Sequence, residues 1–273
     1  MKTAVVGHVE WTEFAEVDHV PRPGEIVRVH ETFSEPAGGG AVAAVQLARL
    51  AGECTLYTAL GDDELGERSR VRLNELGVRV EAAVRSDQPT RRAFTYLDAA
   101  AERTITVIGD RLHPRRSDDL PWDELAEVDA VYFCAGDTGA LRAARQARAL
   151  VATARVLDTL KEGGVQLDAL VGSGKDPSER YAAGQLDPPP RLAVTTMGND
   201  GGTWPGEGRT GEWSAARVPG PPVDAYGCGD SFAAGLAFTL GEGRSVADAL
   251  DLAARCGATC LTGRGPYERQ LGR

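Results

Sequence analysis

Apolar residues fall along this chain in two alternating rhythms. Short runs of β-branched and small apolar residues at 3–6, 54–59, 130–134, 154–158, 169–171 and 192–196 have the length and bounding turns of buried strands. Between them, residues 41–50 place Ala, Val and Leu at helical spacing, 65–76 reads as a helix closed by Gly77, and 141–153 reads as another. Strands alternating with helices predict a three-layer α/β fold around a mostly parallel central sheet. Segments 26–32, 92–98 and 103–107 break this rhythm. They are short and alternating, and an Ala/Glu turn joins the last two, as in a small antiparallel sheet that acts as a lid. No Pro-, Gly- or Ser-rich linker divides the chain and no fixed period repeats; the proline tracts at 188–190 and 219–222 read as rigid connections. The expected organisation is a single domain, 1–273, with a lid formed by segments about 9–36 and 91–108.

Thirty Lys and Arg against forty Asp and Glu leave a formal charge of −10, which disfavours nucleic-acid partners. No apolar run reaches a membrane-spanning length and Glu10 interrupts any leader-like start, so a soluble, cytoplasmic protein is expected, with no membrane partner. The five cysteines are odd in number and scattered, which implies neither a disulfide framework nor a zinc site; Cys256 and Cys260 read as core residues. Glycine is the informative excess. It supplies 33 of 273 residues, about 12% against an average near 7%, and clusters at 38–40, 198–202 and 227–229, where backbone is expected to approach a ligand.

The chemistry concentrates in V-D-A-Y-G-C-G-D-S-F-A-A-G at 223–235. A small-residue turn, Gly227, Cys228 and Gly229, opens into an apolar helix over 231–240. Amides at a helix start have no intrahelical partner and coincide with the positive end of the dipole, which makes an anion site. Asp230 in the same turn reads either as a helix N-cap or as a reactive carboxylate; a cap alone leaves Gly227 and Gly229 unexplained.

These residues carry a resemblance. D-A-Y-G-C-G-D-S-F at 224–232 resembles the C-terminal signature of the PfkB (ribokinase-like) carbohydrate kinases, D-T-x-G-A-G-D-x-F. Further similar motifs follow in order: P-G-E at 23–25, the glycines at 38–40, L-G-D-D-E-L-G at 60–66, V-T-T-M-G at 194–198 followed by Gly201, and T-G-R-G at 262–265. The resemblance spans roughly residues 1–266 and implies a ribokinase-like fold. It also implies ATP-dependent phosphorylation, with Mg2+, of a hydroxymethyl group on a sugar, a nucleoside or a similar small alcohol. Asp230 would be the catalytic base, and the Gly227, Cys228 and Gly229 amides the anion hole. Thr196, Gly198, Gly201, Gly227, Gly229, Ala258 and Gly265 would belong to the nucleotide pocket, although a plain hairpin turn also accounts for 197–202. G-S-G-K at 172–175 lacks the spacing and the Ser/Thr of a phosphate-binding P-loop and is set aside.

Departures from the family pattern bear on the acceptor and the metal. Gly38, Gly39 and Gly40 are kept, but Val42 stands where the relatives' acceptor-binding Asn is expected. In the first loop His8, Glu10 and Trp11 are the acceptor candidates, Glu10 standing in for the usual Asp and Trp11 offering a flat face; His8 and Trp11 also have ordinary structural readings. Arg92 on the lid, with Arg91 and Arg103, either steers a charged acceptor or forms a solvated face. These features point to a neutral acceptor of reduced polarity rather than a phosphorylated one. The magnesium-associated N-x-x-E is absent, Asp176 being the nearest metal candidate beside Ser173 and Glu179. A potassium loop would use backbone at Asp224. Apolar lid residues Ile26, Val29, Phe94, Tyr96 and Ile105 suggest a homodimer through the lids. The eroded motifs also leave a non-catalytic nucleotide- or sugar-binding member as an alternative.

Overall fold

The computed structural model describes residues 1–206 and 209–272. In chain order the first elements are β1 (Thr3–Val6), β2 (Glu10–Glu16), β3 (Glu31–Ala37), α1 (Gly39–Ala51), β4 (Cys54–Gly61), α2 (Glu64–Glu75) and β5 (Val78–Arg85). Then come β6 (Arg92–Leu97), β7 (Arg103–Ile108), β8 (Ala130–Phe133), α3 (Thr138–Ala144), β9 (Ala149–Thr153) and α4 (Leu157–Gly163). The chain closes with β10 (Ala169–Ser173), β11 (Ala193–Thr196), β12 (Gly202–Gly206), β13 (Arg209–Trp213), α5 (Cys228–Gly241) and α6 (Val246–Cys260).

Among the described residues nine strands form one sheet, ordered β13-β12-β11-β10-β9-β8-β1-β4-β5. Every pair from β11 to β5 is parallel, and the β12–β13 hairpin extends the sheet antiparallel. Side chains of successive strand residues point to opposite faces. Thus Val5 of β1 packs with residues of α1, α5 and α6, whereas Ala4 and Val6 pack with α3, α4 and the turn at Trp122–Glu127. The result is the three-layer architecture expected from the sequence. Parallel strands bring their carboxyl ends to one edge, where α/β folds of this kind bind ligands. No described helix is long and apolar enough to cross a membrane.

A second sheet, ordered β3-β2-β6-β7, lies beside that edge, with β2–β3 and β6–β7 antiparallel and β2–β6 parallel. The motif at 60–66 anchors it. Asp63 caps α2 through the Gly66 amide at 2.8 Å, and its carboxylate also accepts from Thr90 N at 2.7 Å and Thr90 Oγ1 at 2.8 Å, just ahead of β6.

Several expected elements are corrected. The strand expected at 26–32 starts at Glu31; Pro21, Pro23 and Gly24, the last at φ 83°, interrupt the segment before it, and Ile26 is 98% exposed. Residues 10–16, read as loop, form β2. The helix expected at 141–153 ends at Ala144, and 149–153 is a central strand; the strand expected at 154–158 is instead a single turn leading into α4. The turn at 197–202 is indeed a hairpin connection, closed by Met197 N donating to Gly201 O at 2.8 Å.

Candidate active site

The loop leading into α5 is fixed by one buried carboxylate. Asp224 Oδ1 accepts from Tyr226 N at 2.7 Å and Oδ2 from Gly265 N at 2.9 Å, so the 224–227 turn and the 262–265 motif are tied together. Gly227 then takes φ 79°, a left-handed conformation that strains other residues, and packs on the fully buried Val42 and on Pro266. It occupies the N-cap position without any side-chain cap. Asp230 therefore is not the cap. It stands in the first turn, its carboxylate makes no hydrogen bond to the described residues, and burial pushes its pKa up to about 6, with Arg155 opposing and Glu179 adding to the rise.

Across from Asp230 lies the start of α1. A methyl group on Gly39 would come within 2.9 Å of Asp230 Oδ1, and one on Gly38 within 3.0 Å of the His8 ring and 3.2 Å of Glu10 Cγ. Gly38 N donates to the Tyr226 hydroxyl at 3.2 Å and Gly40 N to His8 O at 3.2 Å. His8, Glu10, Gly38, Gly39, Gly40 and Asp230 thus line one crevice. Arg91, at the head of β6, pairs with Glu10 at 3.2 Å. Burial, reinforced by Arg111, Arg91 and Arg155, holds the His8 pKa well below its ordinary value and the ring neutral. Burial also raises Glu10, against the pull of the same arginines. Glu10 Oε2 and Arg91 Nε face each other in that ion pair, whereas His8 Nδ1 and Thr12 Oγ1 are buried without a hydrogen-bond partner. Such groups are costly unless a ligand satisfies them.

On the far side of Asp230 is a cleft of about 350 Å3. It is lined by Thr196, Gly198, Cys228, Gly229, Gly257 and Ala258, together with residues 100–103 of the β6–β7 connection. Its small residues leave room beside Trp213 and Phe232 for a flat ring and its phosphates. The Cys228 thiol is pushed well above its ordinary pKa by its contact with the Cys260 thiol and by burial, so it is no thiolate nucleophile. The chain matches the family model described as pfkB family carbohydrate kinase over residues 2–170 and 166–270. It belongs to the PfkB family of carbohydrate kinases. This PfkB kinase is 33% identical over 106 residues to the ribokinase of Dictyostelium discoideum, a match spanning 38% of the chain and 33% of that protein. It is 26% identical over 275 residues to the ATP-dependent ribose-1-phosphate kinase of Halopiger xanaduensis, covering 92% of the chain and 89% of the relative. The solved adenosine kinase of Sinorhizobium meliloti superposes with a TM-score of 0.80 at 19% identity, over 97% of this chain and 95% of that one. The chain is therefore a phosphotransferase with an alcohol acceptor, of the sugar and nucleoside kinase kind.

Not every expected residue of this PfkB kinase reaches the crevice. Trp11 follows Glu10 on β2 and so points to the opposite face, where the Arg68 guanidinium lies 4.3 Å over its ring. Arg92 likewise turns away and pairs with Glu13. Val42 is buried against Gly227 rather than open to an acceptor. Gly201, Gly227 and Gly265 shape the loops at φ 77°, 79° and 62°, behind the residues that line the cleft. Asp176 is engaged on both oxygens: Oδ1 accepts from Ser178 N at 2.9 Å, and Oδ2 pairs with Arg155 at 3.2 Å. Arg111 and Arg155 interact with His8 and Glu10, although no sequence motif assigns them to the crevice, while Tyr226 lies inside the 224–232 motif and Thr12 in the first loop beside Glu10. Arg155 follows β9, which reads as helix, and an isolated arginine in the 109–121 loop carries no periodic signal.

Proposed function

We propose that the chain transfers the γ-phosphoryl group of ATP to a hydroxymethyl group of a sugar or sugar derivative, with Asp230 as the catalytic base. One observation carries this reading: a carboxylate free of protein hydrogen bonds stands where the nucleotide cleft meets the glycine-lined crevice, with its pKa near 6. An acceptor hydroxyl beside Gly39 would hand its proton to Asp230, while the amides of Gly227, Cys228 and Gly229 stabilise charge on the group in transfer. When bound, magnesium neutralises the triphosphate. Asp176 and Glu179 both pair with Arg155, so a magnesium ion near them would be held chiefly by the phosphates and water. The reading includes a homodimer through the lid sheets.

The test is an ADP-release screen with MgATP over sugars, sugar phosphates and nucleosides, with and without potassium, on the native chain and Asp230→Asn. Native turnover lost in the variant supports the assignment; variant turnover within about threefold of native rejects it.

A further inference from the structure

Past the T-G-R-G motif the chain runs back over the helices of the site, and one side chain of this tail joins two of them. Gln270 is only 6% exposed. Its Nε2 donates to Val42 O at 3.1 Å and to Ser231 Oγ at 3.3 Å. A carbonyl only accepts, so the amide nitrogen is fixed toward Val42 and both of its hydrogens are used. Val42 closes the first turn of α1 and Ser231 the first turn of α5, so one amide braces the starts of both helices. Within those turns Gly227 packs on Val42, and a methyl on Gly39 would come within 2.9 Å of Asp230 Oδ1. The tail itself is held on α1, where Gln46 Nε2 donates to Leu271 O at 2.7 Å and Arg49 Nη1 to Gln270 O at 3.3 Å. Stability alone does not explain a glutamine here. Its Oε1 is buried without a hydrogen-bond partner among the described residues, a cost that an apolar side chain of the same length avoids. Neither partner depends on it either: Val42 O belongs to the α1 ladder, and the Ser231 hydroxyl can turn to the carbonyl one turn back, Gly227 O.

We propose that Gln270 is a positioning residue for phosphoryl transfer, holding the first turns of α1 and α5 at the spacing that sets an acceptor hydroxyl over Gly39 against Asp230. The inference rests on the reading of Asp230 as the base and extends that site to a residue outside every motif of the sequence. Apolar packing between two helices is non-directional and leaves them free to shift by fractions of an ångström. A hydrogen-bonded amide is directional, and it fixes both helices one turn or less from the reacting groups. In-line transfer depends on such alignment, a misplacement of about 1 Å being enough to slow a reaction about 100-fold.

The experiment measures ADP release from MgATP with ribose, ribose 1-phosphate and adenosine, ADP affinity by calorimetry, and melting temperature, on the native chain, Gln270→Met, Ser231→Ala, their double variant and Gln46→Met. In Gln270→Met kcat should fall at least about tenfold, while ADP affinity stays within about twofold and the melting temperature is not lowered. Ser231→Ala, which loses one arm of the brace, should fall less, and the double variant no further than Gln270→Met alone. Gln46→Met frees the tail from α1 at Leu271 but keeps the brace, so its kcat should stay within about twofold of native. An unchanged kcat in Gln270→Met, an equal fall in Gln46→Met, or a fall matched by weaker ADP binding and a lower melting temperature overturns the inference and leaves the kinase reading standing. Ser231→Ala removes a single hydroxyl and still decides the matter should Gln270→Met not fold: its kcat must then fall at least about threefold with ADP affinity kept. Hydrogen exchange gives a readout free of turnover. The amides of Gly40, Val42 and Ser231, bonded to His8 O, Gly38 O and Gly227 O, should exchange at least about tenfold faster in Gln270→Met with the rest of the chain unchanged. Native exchange at both helix starts overturns the proposal even where Asp230→Asn keeps its turnover and the base assignment falls.

Discussion

Asp230 combines two properties that act in opposite directions on the protein. Burial raises its pKa from 3.8 to about 6, which would tune Asp230 as a base toward the working pH, while the ionised carboxylate is a destabilising feature of the fold. With Asp230 as the proposed base, which must be unprotonated, kcat/KM should fall about tenfold per pH unit below roughly 6 and level off above it. An acid limb near 4 would detach Asp230 from proton transfer. The stability consequence has the opposite sign. A folded-state pKa above the unfolded value favours the protonated native state, so that contribution is complete below about 4 and is lost as pH rises through about 6. Asp230→Asn should therefore melt higher than native at pH 7.5, by roughly 2–4 °C, and show little gain near pH 4, while turnover falls about 10² to 10⁴. Differential scanning at both pH values checks the first outcome and steady-state kinetics the second. Gly39 supplies a steric test of the same contact. The methyl of Gly39→Ala would enter 2.9 Å from Asp230 Oδ1, so kcat/KM should drop at least about tenfold with the melting temperature nearly kept. Native-like turnover in Gly39→Ala would mean the acceptor does not approach Asp230 over α1.

Elements whose role is set by local chemistry are legible in the sequence, and those set by the sheet are not. The glycine turn into α5, the helices near 41–50 and 65–76 and strands β1, β8, β10 and β11 follow from capping, periodicity and short apolar runs. A-L-V-A-T at 149–153 continues the Ala, Leu and Arg composition of α3, and only its place between β8 and β10 makes it a strand. In β2 the polar side chains Glu10 and Thr12 are buried on the same face, so burial runs against the hydrophobic pattern, as it does at a face built for a ligand. The turn into α5 announces itself through glycine, whereas Arg111 and Arg155 meet His8 and Glu10 only through elements far apart in the chain. The lid illustrates the same contrast. Its edge strand β7 is exposed at all six positions, with Ile105, Val107 and Ile108 at 40%, 50% and 47%. An apolar edge with unpaired backbone invites a second strand, and a two-fold pairing of lids would close it. Sedimentation at tens of micromolar should give a mass of two chains, and Val107→Lys should give one; a native chain that stays monomeric removes the lid interface.

At the scale of the whole molecule, charge is segregated by site. The chain carries −10 overall, yet Arg91, Arg111 and Arg155 act on His8 in the glycine-lined crevice and Arg103 and Lys175 line the neighbouring cleft, so cationic groups gather at these two sites in a chain that repels anions in bulk. One hairpin spans both regions. At its root, Arg91 is positioned by the Asp63–Thr90 anchor and touches Glu10; at its tip, Ala101 O accepts from Ala225 N at 3.1 Å and Arg103 Nη1 donates to Ala225 O at 3.3 Å, over the nucleotide cleft. A ligand that orders the root therefore spares the other ligand part of the cost of ordering the tip, and thermodynamic linkage makes the benefit mutual. Calorimetric titration of ADP should tighten by about fivefold when acceptor is saturating, and acceptor should tighten by the same factor when ADP is saturating. In Arg103→Ala the tip loses its bond to Ala225, so the coupling should shrink toward onefold even though Glu10, Arg91 and Asp230 are untouched. A loss of affinity for each ligand alone with the fivefold coupling intact would show that the hairpin is a passive wall. Equal ADP affinity with and without acceptor in the native chain would show that the two sites meet at Asp230 without communicating through the lid.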